Sequence, residues 1–197
     1  MMYVLDPTRM GIMSEISDKD IQIMYTEGIV FKVIVVGDAE VGKTSLVRQH
    51  TKAKFDNEYQ TTVGVNIAKE TIEIDDKKIS LLIWDIAGQV QFYMLHKVYF
   101  NGANGIIYVF DQTRPSTLAN LKQNWFRKIS EYGVSKVPAV LIGNKSDLKP
   151  KVIKPTAQTM AKTLGEIPYY ETSAKLGKHV DDAFRKLCEL MLVANKL

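Results

Sequence analysis

From Ile29 onward, short unbroken apolar runs alternate with longer stretches whose apolar residues recur every three or four positions. An unbroken run reads as a strand covered on both faces, and helical recurrence reads as an amphipathic helix with one face on a core. Runs at residues 105–110 and 139–142 are of the first kind, and residues 31–36, apolar without a break from Val33 to Val36, are predicted as the first strand. Helices are predicted from the loop at 37–44 to about residue 52, and over about 116–132, 156–164 and 180–195. In the last of these, Val180, Phe184, Leu187 and Met191 form one stripe. Segments 63–73 and 79–84 flank the polar Asp75-Asp76-Lys77-Lys78, which predicts an antiparallel hairpin. The alternation as a whole predicts an α/β fold: a mostly parallel six-stranded sheet with one antiparallel strand and helices on both faces.

Composition narrows this picture. A chain of 197 residues with 46% apolar content can bury a full core and falls within the range of one domain. No apolar stretch approaches the roughly 18 residues a membrane span requires, and the start of the chain lacks a signal-peptide layout. A soluble, cytoplasmic protein is therefore expected, with any membrane association peripheral and through a partner. Residues 1–28 set Arg9 and Lys19 against five carboxylates and hold five of the eight methionines. They are expected to be an acidic N-terminal extension, flexible or loosely docked, before a single domain at 29–197. The net charge of +4 comes from scattered lysines without a like-charge block, so the basic surface predicts solvation rather than nucleic-acid binding. Cys188 lies on a helical stripe and is expected to be a half-buried helix residue; Trp84 and Trp125 are expected in the core. His50, His96, His179 and Cys188 have no metal-ligand spacing, and no histidine is assigned a catalytic role.

The candidate chemistry begins at Gly37-Asp38-Ala39-Glu40-Val41-Gly42-Lys43-Thr44. A Gly-x4-Gly-Lys-Thr loop after a strand wraps backbone N–H groups around a polyphosphate, with Lys43 reaching the outer phosphates and Thr44 a magnesium ion. This makes the predicted α/β fold a P-loop NTPase fold. Three more loaded segments also follow strands: 85–89, 144–147 and 173–175. In a parallel α/β sheet such strand ends share one edge, where ligands bind. The tetrad Asp85-Ile86-Ala87-Gly88 means little alone; its place at the end of an apolar run makes Asp85 a candidate metal-side carboxylate.

With these residues in view, the chain resembles the Ras superfamily of small GTPases, and within it the Rab branch. The resemblance spans about residues 31–193. It rests on 37–44, Thr61-Thr62-Val63-Gly64, Trp84-Asp85-Ile86-Ala87-Gly88-Gln89, Asn144-Lys145-Ser146-Asp147 and Glu171-Thr172-Ser173-Ala174-Lys175, in that order. It implies a GTP/GDP switch that requires Mg²⁺. Asp38, Ala39, Glu40, Val41, Gly42, Lys43, Thr44 and Ser45 would hold the phosphates. Asn144, Lys145, Asp147, Ser173, Ala174 and Lys175 would form the base side. A carboxylate at Asp147 can accept from both N–H groups on the guanine edge, which adenine lacks; such sites discriminate by about 10⁴ to 10⁵. By the resemblance, Asn144 ties the base loop to the phosphate loop, Lys145 covers the base, and the Ala174 N–H meets the guanine carbonyl. Phe55 and Tyr59 fall in the same implied site, although Phe55 also reads as plain core.

The resemblance further implies Thr44, Thr62 and Asp85 as the metal side, with Thr62 and the Gly88 N–H engaged only while the γ-phosphate is present. Gln89 takes the position that orients the attacking water, so Gln89, Lys43 and Gly88 are the catalytic candidates. Slow hydrolysis accelerated by an activating partner is expected, with effectors meeting segments near 55–65 and 86–100 and an exchange factor reloading the site. The protein is expected to be a monomer in intracellular trafficking or signalling. Ala39 and Glu40 stand where the family usually has small residues or glycine, so a GTP-binding module with negligible turnover is the alternative. Val90 replaces a residue that is commonly Glu, leaving inherited regulator contacts open. The final residues, Ala194-Asn195-Lys196-Leu197, hold no cysteine motif, so neither a membrane span nor a lipid anchor is expected.

Overall fold

Neighbouring residues of the first strand, β1 (Ile29–Val36), face opposite ways, and both faces are buried: Val33 and Val35 belong to one core, Ile34 and Val36 to the other. The same division runs through β5 (Gly105–Asp111) and β6 (Ala139–Asn144). In this computed structural model the described residues are 28–51, 60–62, 64–87 and 99–197, the short segment 60–62 through its backbone only. The remaining strands are β2 (Gln60–Thr62), β3 (Val65–Ile74), β4 (Lys77–Ile86) and β7 (Tyr169–Glu171), in the sheet order β2-β3-β4-β1-β5-β6-β7. From β4 across to β7 neighbouring strands pair in parallel.

The six expected strands are all present, and the three residues Gln60–Thr62 extend the sheet edge by a further antiparallel strand. Gly64, at φ 79°, sits between β2 and β3. The β3–β4 hairpin has a tighter turn than the expected four residues, because Ile74 pairs with Lys77 and leaves Asp75 and Asp76 as the loop. Both have positive φ (47° and 61°), as a two-residue hairpin requires, and Asp tolerates that region better than most side chains.

One face of the sheet carries α1 (Lys43–His50) and α5 (Val180–Ala194); the stripe Val180, Phe184, Leu187 and Met191 is buried there with Leu46 and Val47. Cys188 lies in this core with no exposed surface rather than half-buried, and burial pushes its thiol up to about 11. His50 links the two helices, with its ring stacked on Phe184 at 4.0 Å and its Nδ1 2.8 Å from the Asp181 carboxylate.

The opposite face carries α2 (Pro115–Asn120), α3 (Arg127–Glu131) and α4 (Lys154–Thr163). The helix expected over 116–132 is interrupted: Leu121–Phe126, between α2 and α3, is a π-helical segment. Such wide turns are rare and occur often at functional sites. Within it Leu121 and Trp125 are both buried. Trp84 is also in this core, as expected.

Lys32 is a charged group inside the fold. It is 5% exposed, with its ammonium 3.8 Å from the centre of the Trp84 ring and donating to the Asn101 carbonyl at 2.8 Å. Burial lowers its pKa from 10.5 to about 7. Between these values the unfolded chain binds a proton that the folded one has released, so this group adds stability as pH rises and withdraws it as pH falls through about 7. The unfolding free energy of the wild type relative to Lys32→Met is therefore expected to rise between about pH 7 and about pH 10 in denaturant titrations. A pH-independent difference would contradict the buried charge.

Candidate functional site

At the carboxyl edge of the sheet the register aligns the chemistry. Val35 pairs with Asp85, Asp111 with Asn144, and Gly143 with Glu171. The chain leaves β1 toward β2–β4 on one side, and the later strands lie on the other side of β1, so the loop after β1 sits at the point where strand order reverses.

That loop is shaped by close packing. A Cβ on Gly37 (φ 148°) would lie 2.2 Å from the Val109 carbonyl oxygen, and one on Gly42 (φ 94°) would lie 2.3 Å from Asn144 Nδ2. Both positions therefore demand glycine. Lys43, at the start of α1, is 6% exposed and donates to the carbonyls of Gly37 at 2.9 Å and Asp38 at 2.8 Å. Burial lowers its pKa to about 8, with Asp85 and Asp38 pulling the other way. An ammonium desolvated in this way gains by meeting an anion. Thr44 donates its hydroxyl to Asp85 Oδ2 at 2.5 Å, so two hard oxygen groups from different elements meet at the loop. This pair suits Mg²⁺, which takes one or two protein oxygens and fills its shell with water and phosphate. Among the described residues no cluster of three His, Cys, Asp or Glu side chains could hold a metal.

Asn144, at the end of β6, joins three segments. Its Nδ2 donates to the Val41 carbonyl at 2.9 Å in the phosphate loop, and its Oδ1 accepts from Ala174 N at 3.1 Å and Thr172 Oγ1 at 3.3 Å. It is 2% exposed, so these contacts replace water it cannot reach. Asp147 is exposed and is fixed by Ser173, whose hydroxyl donates to Oδ1 at 2.6 Å while accepting from Leu176 N at 3.1 Å. That hydrogen bond is the main cause holding the Asp147 carboxyl below the ordinary range, and nearby Lys175 and Lys145 add to it. A hydrogen-bond acceptor is thus kept ionised at the loop tip.

Sequence reasoning did not anticipate the side chains that brace the loops. Asp38 accepts from Asn120 Nδ2 at 2.7 Å and Trp125 Nε1 at 3.1 Å, so the π-helical segment is tied to the phosphate loop. Asp111, with 1% of its side chain exposed, accepts from Lys145 Nζ at 2.7 Å, Arg114 Nε at 3.0 Å, and the Thr113 backbone N–H and hydroxyl. Burial would raise its pKa, but the hydrogen bonds from Lys145 and Thr113 and the Lys145 charge outweigh it and hold the carboxyl below the ordinary range. The available signal was an acidic residue closing an apolar run, as Asp85 does.

The structure thus brings together Asp38–Ser45 with Asp85, Asn144, Lys145, Asp147, Ser173 and Ala174. Lys175 follows on the same loop. Phe55, Tyr59, Gly88, Gln89, Val90 and His96 lie outside the described residues, as do residues 1–27 and most of the effector segments; for Thr62 only the backbone is described. No helix among the described residues is long and apolar enough to cross a membrane.

A glycine-shaped anion loop, a paired hydroxyl and carboxylate, and an ionised acceptor on a third loop define a nucleotide-binding α/β domain. The chain matches the Ras family over residues 32–193, and it belongs to that family, in its Rab branch. It is 40% identical to the Ras-related protein Rab-13 of Mesocricetus auratus over 165 residues, covering 83% of this chain and 80% of that one. It is 37% identical to the Ras-related protein SEC4 of Saccharomyces cerevisiae over 172 residues (85% and 79%), and 36% identical to Rab-19 of Rattus norvegicus over 169 residues (85% and 77%). The protein is accordingly a GTP-binding molecular switch with GTPase activity.

Replacing Asn144 with Ala leaves the Val41 carbonyl and Ala174 N–H without their partner. Unfolding free energy is expected to fall by about 2–4 kcal/mol, and GDP release to accelerate at least about tenfold. Thermal melting and release of a fluorescent GDP check this; unchanged release would show that Asn144 does not couple the loops.

Proposed function

We propose that the phosphate loop holds GTP and GDP with Lys43 against the outer phosphates, Thr44, Thr62 and Asp85 serving Mg²⁺, and Asp147 reading the guanine edge. The observation that carries this reading is the Asn144 side chain, which fastens the phosphate loop to the segment that presents the Ala174 N–H. Hydrogen bonding to Ser173 leaves Asp147 ionised and aimed, so it suits the two N–H donors of guanine. Lys145, held by Asp111 at 2.7 Å and with φ 67°, covers the base in this reading. When bound, Mg²⁺ would neutralise charge on the outer phosphates.

Hydrolysis then needs a positioned water and stabilised charge rather than a protein nucleophile. Gln89 orients the water, and the Gly88 N–H and Thr62 respond to the γ-phosphate, so their segments change when it leaves. The intrinsic rate is slow and a partner accelerates it. Effectors dock on the segments near 55–65 and 86–100 in the GTP state, an exchange factor reloads the site, and the monomeric domain of residues 29–197 works in the cytoplasm with membranes reached through partners. The acidic residues 1–28 lie outside this domain.

Single-turnover phosphate release from the GTP-loaded protein tests the timer. The wild type is expected to release phosphate slowly, and Gln89→Leu at least about tenfold more slowly while GTP affinity stays within about threefold. Equal rates would remove Gln89 from the mechanism, and no release above the spontaneous rate, with or without candidate activators, would make the chain a binding module.

A further inference from the structure

Arg114 follows β5 and touches both halves of the candidate site. Its Nη2 donates to the Ala39 carbonyl at 2.9 Å, at the tip of the phosphate loop, and its Nε donates to Asp111 Oδ2 at 3.0 Å. That same carboxylate oxygen lies 2.7 Å from Nζ of Lys145, on the base side. Its Nη1 lies 3.9 Å from Glu40.

The loop tip has reason to need a tether. Glu40 adopts φ 62°, a region where a glycine would be unstrained and a glutamate is not. Its carboxylate is largely exposed, so the ion pair with Arg114 contributes little by itself. The bonds to the Ala39 carbonyl and the buried Asp111 are of the stronger, charge-assisted kind. A planar guanidinium can hold two oxygens with separate nitrogens, which a lysine ammonium on a single point does less well.

We propose that Arg114 is a positioning residue for nucleotide retention: it ties the strained tip of the phosphate loop to Asp111, the buried carboxylate that also anchors Lys145, so that phosphate-side and base-side loops share one brace. Arg114 touches no nucleotide in this role and acts through Ala39 and Asp111. The proposal rests on the nucleotide site assigned above.

The test is the release rate of a fluorescent ribose-labelled GDP from the full chain. Arg114→Ala is expected to speed release about tenfold, and Arg114→Lys at least about threefold, since lysine keeps the charge but not both contacts. In an Asp111→Asn background the Arg114→Ala step is expected to shrink below about threefold, because the two changes remove one shared brace. Release within about twofold of wild type for Arg114→Ala, or an undiminished step in the Asp111→Asn background, overturns the proposal. Should Asp111→Asn not fold, Arg114→Lys decides: release equal to wild type would mean that only charge opposite Glu40 matters. An unsubstituted chain that fails to retain labelled GDP would overturn the site assignment itself, and this proposal with it.

Discussion

The Asn144 carboxamide is the contact on which the site depends. β1 and β6 are separated in the sheet by β5, and the loops that follow them have no backbone ladder to hold them together. A buried amide with one donor arm and one acceptor face solves this. It donates to Val41 and accepts from Ala174 and Thr172, and the glycine at position 42 leaves it room. In a water-poor setting such a group is costly when unpaired, so its contacts favour one arrangement of three segments over many looser ones. In the proposed site, specificity for a base and grip on a polyphosphate would then be properties of one connected object.

Around that contact the fold concentrates charge in an unusual way. Lys43, Asp85, Asp111 and Lys32 are all nearly excluded from solvent, yet the first three lie at the carboxyl edge and are matched with partners that place them. Lys32 is different: it faces an aromatic ring and a carbonyl, and it belongs to the second core rather than to the nucleotide edge. The proposed site follows the common pattern in which buried ionic groups serve positioning more than stability. Asp38 shows the same economy at the loop itself, since its carboxylate is used to seat the phosphate loop on Asn120 and Trp125.

Much of this was legible in the sequence because the signals were local. Unbroken apolar runs become strands when both faces are covered, and the runs ending at Val36, Phe110 and Ile142 lie in β1, β5 and β6. The motif residues needed only their strand ends to converge, and parallel register supplied that. What escaped was non-local or beyond periodicity. A widened turn at Leu121–Phe126 leaves apolar residues at nearly helical spacing, so it looks like ordinary helix until Trp125 is seen on Asp38. Arg114 reads as a polar residue after a strand, and its meaning depends on a loop tip 75 positions earlier. The strand Gln60–Thr62 is too short and polar to announce itself, and Cys188 is fully covered because α5 lies with its stripe on the sheet.

The central claim is that three stapled loops build a site for guanine nucleotides in which Asp147 reads the base. Competition among GDP, ADP and xanthosine diphosphate for the wild type and Asp147→Asn tests it most directly. The account predicts that the wild type prefers GDP over ADP by at least about 10³, and that Asp147→Asn weakens GDP while gaining xanthosine diphosphate, whose 2-oxo group accepts from the new amide. Unchanged GDP preference in Asp147→Asn, or comparable ADP binding by the wild type, would contradict it.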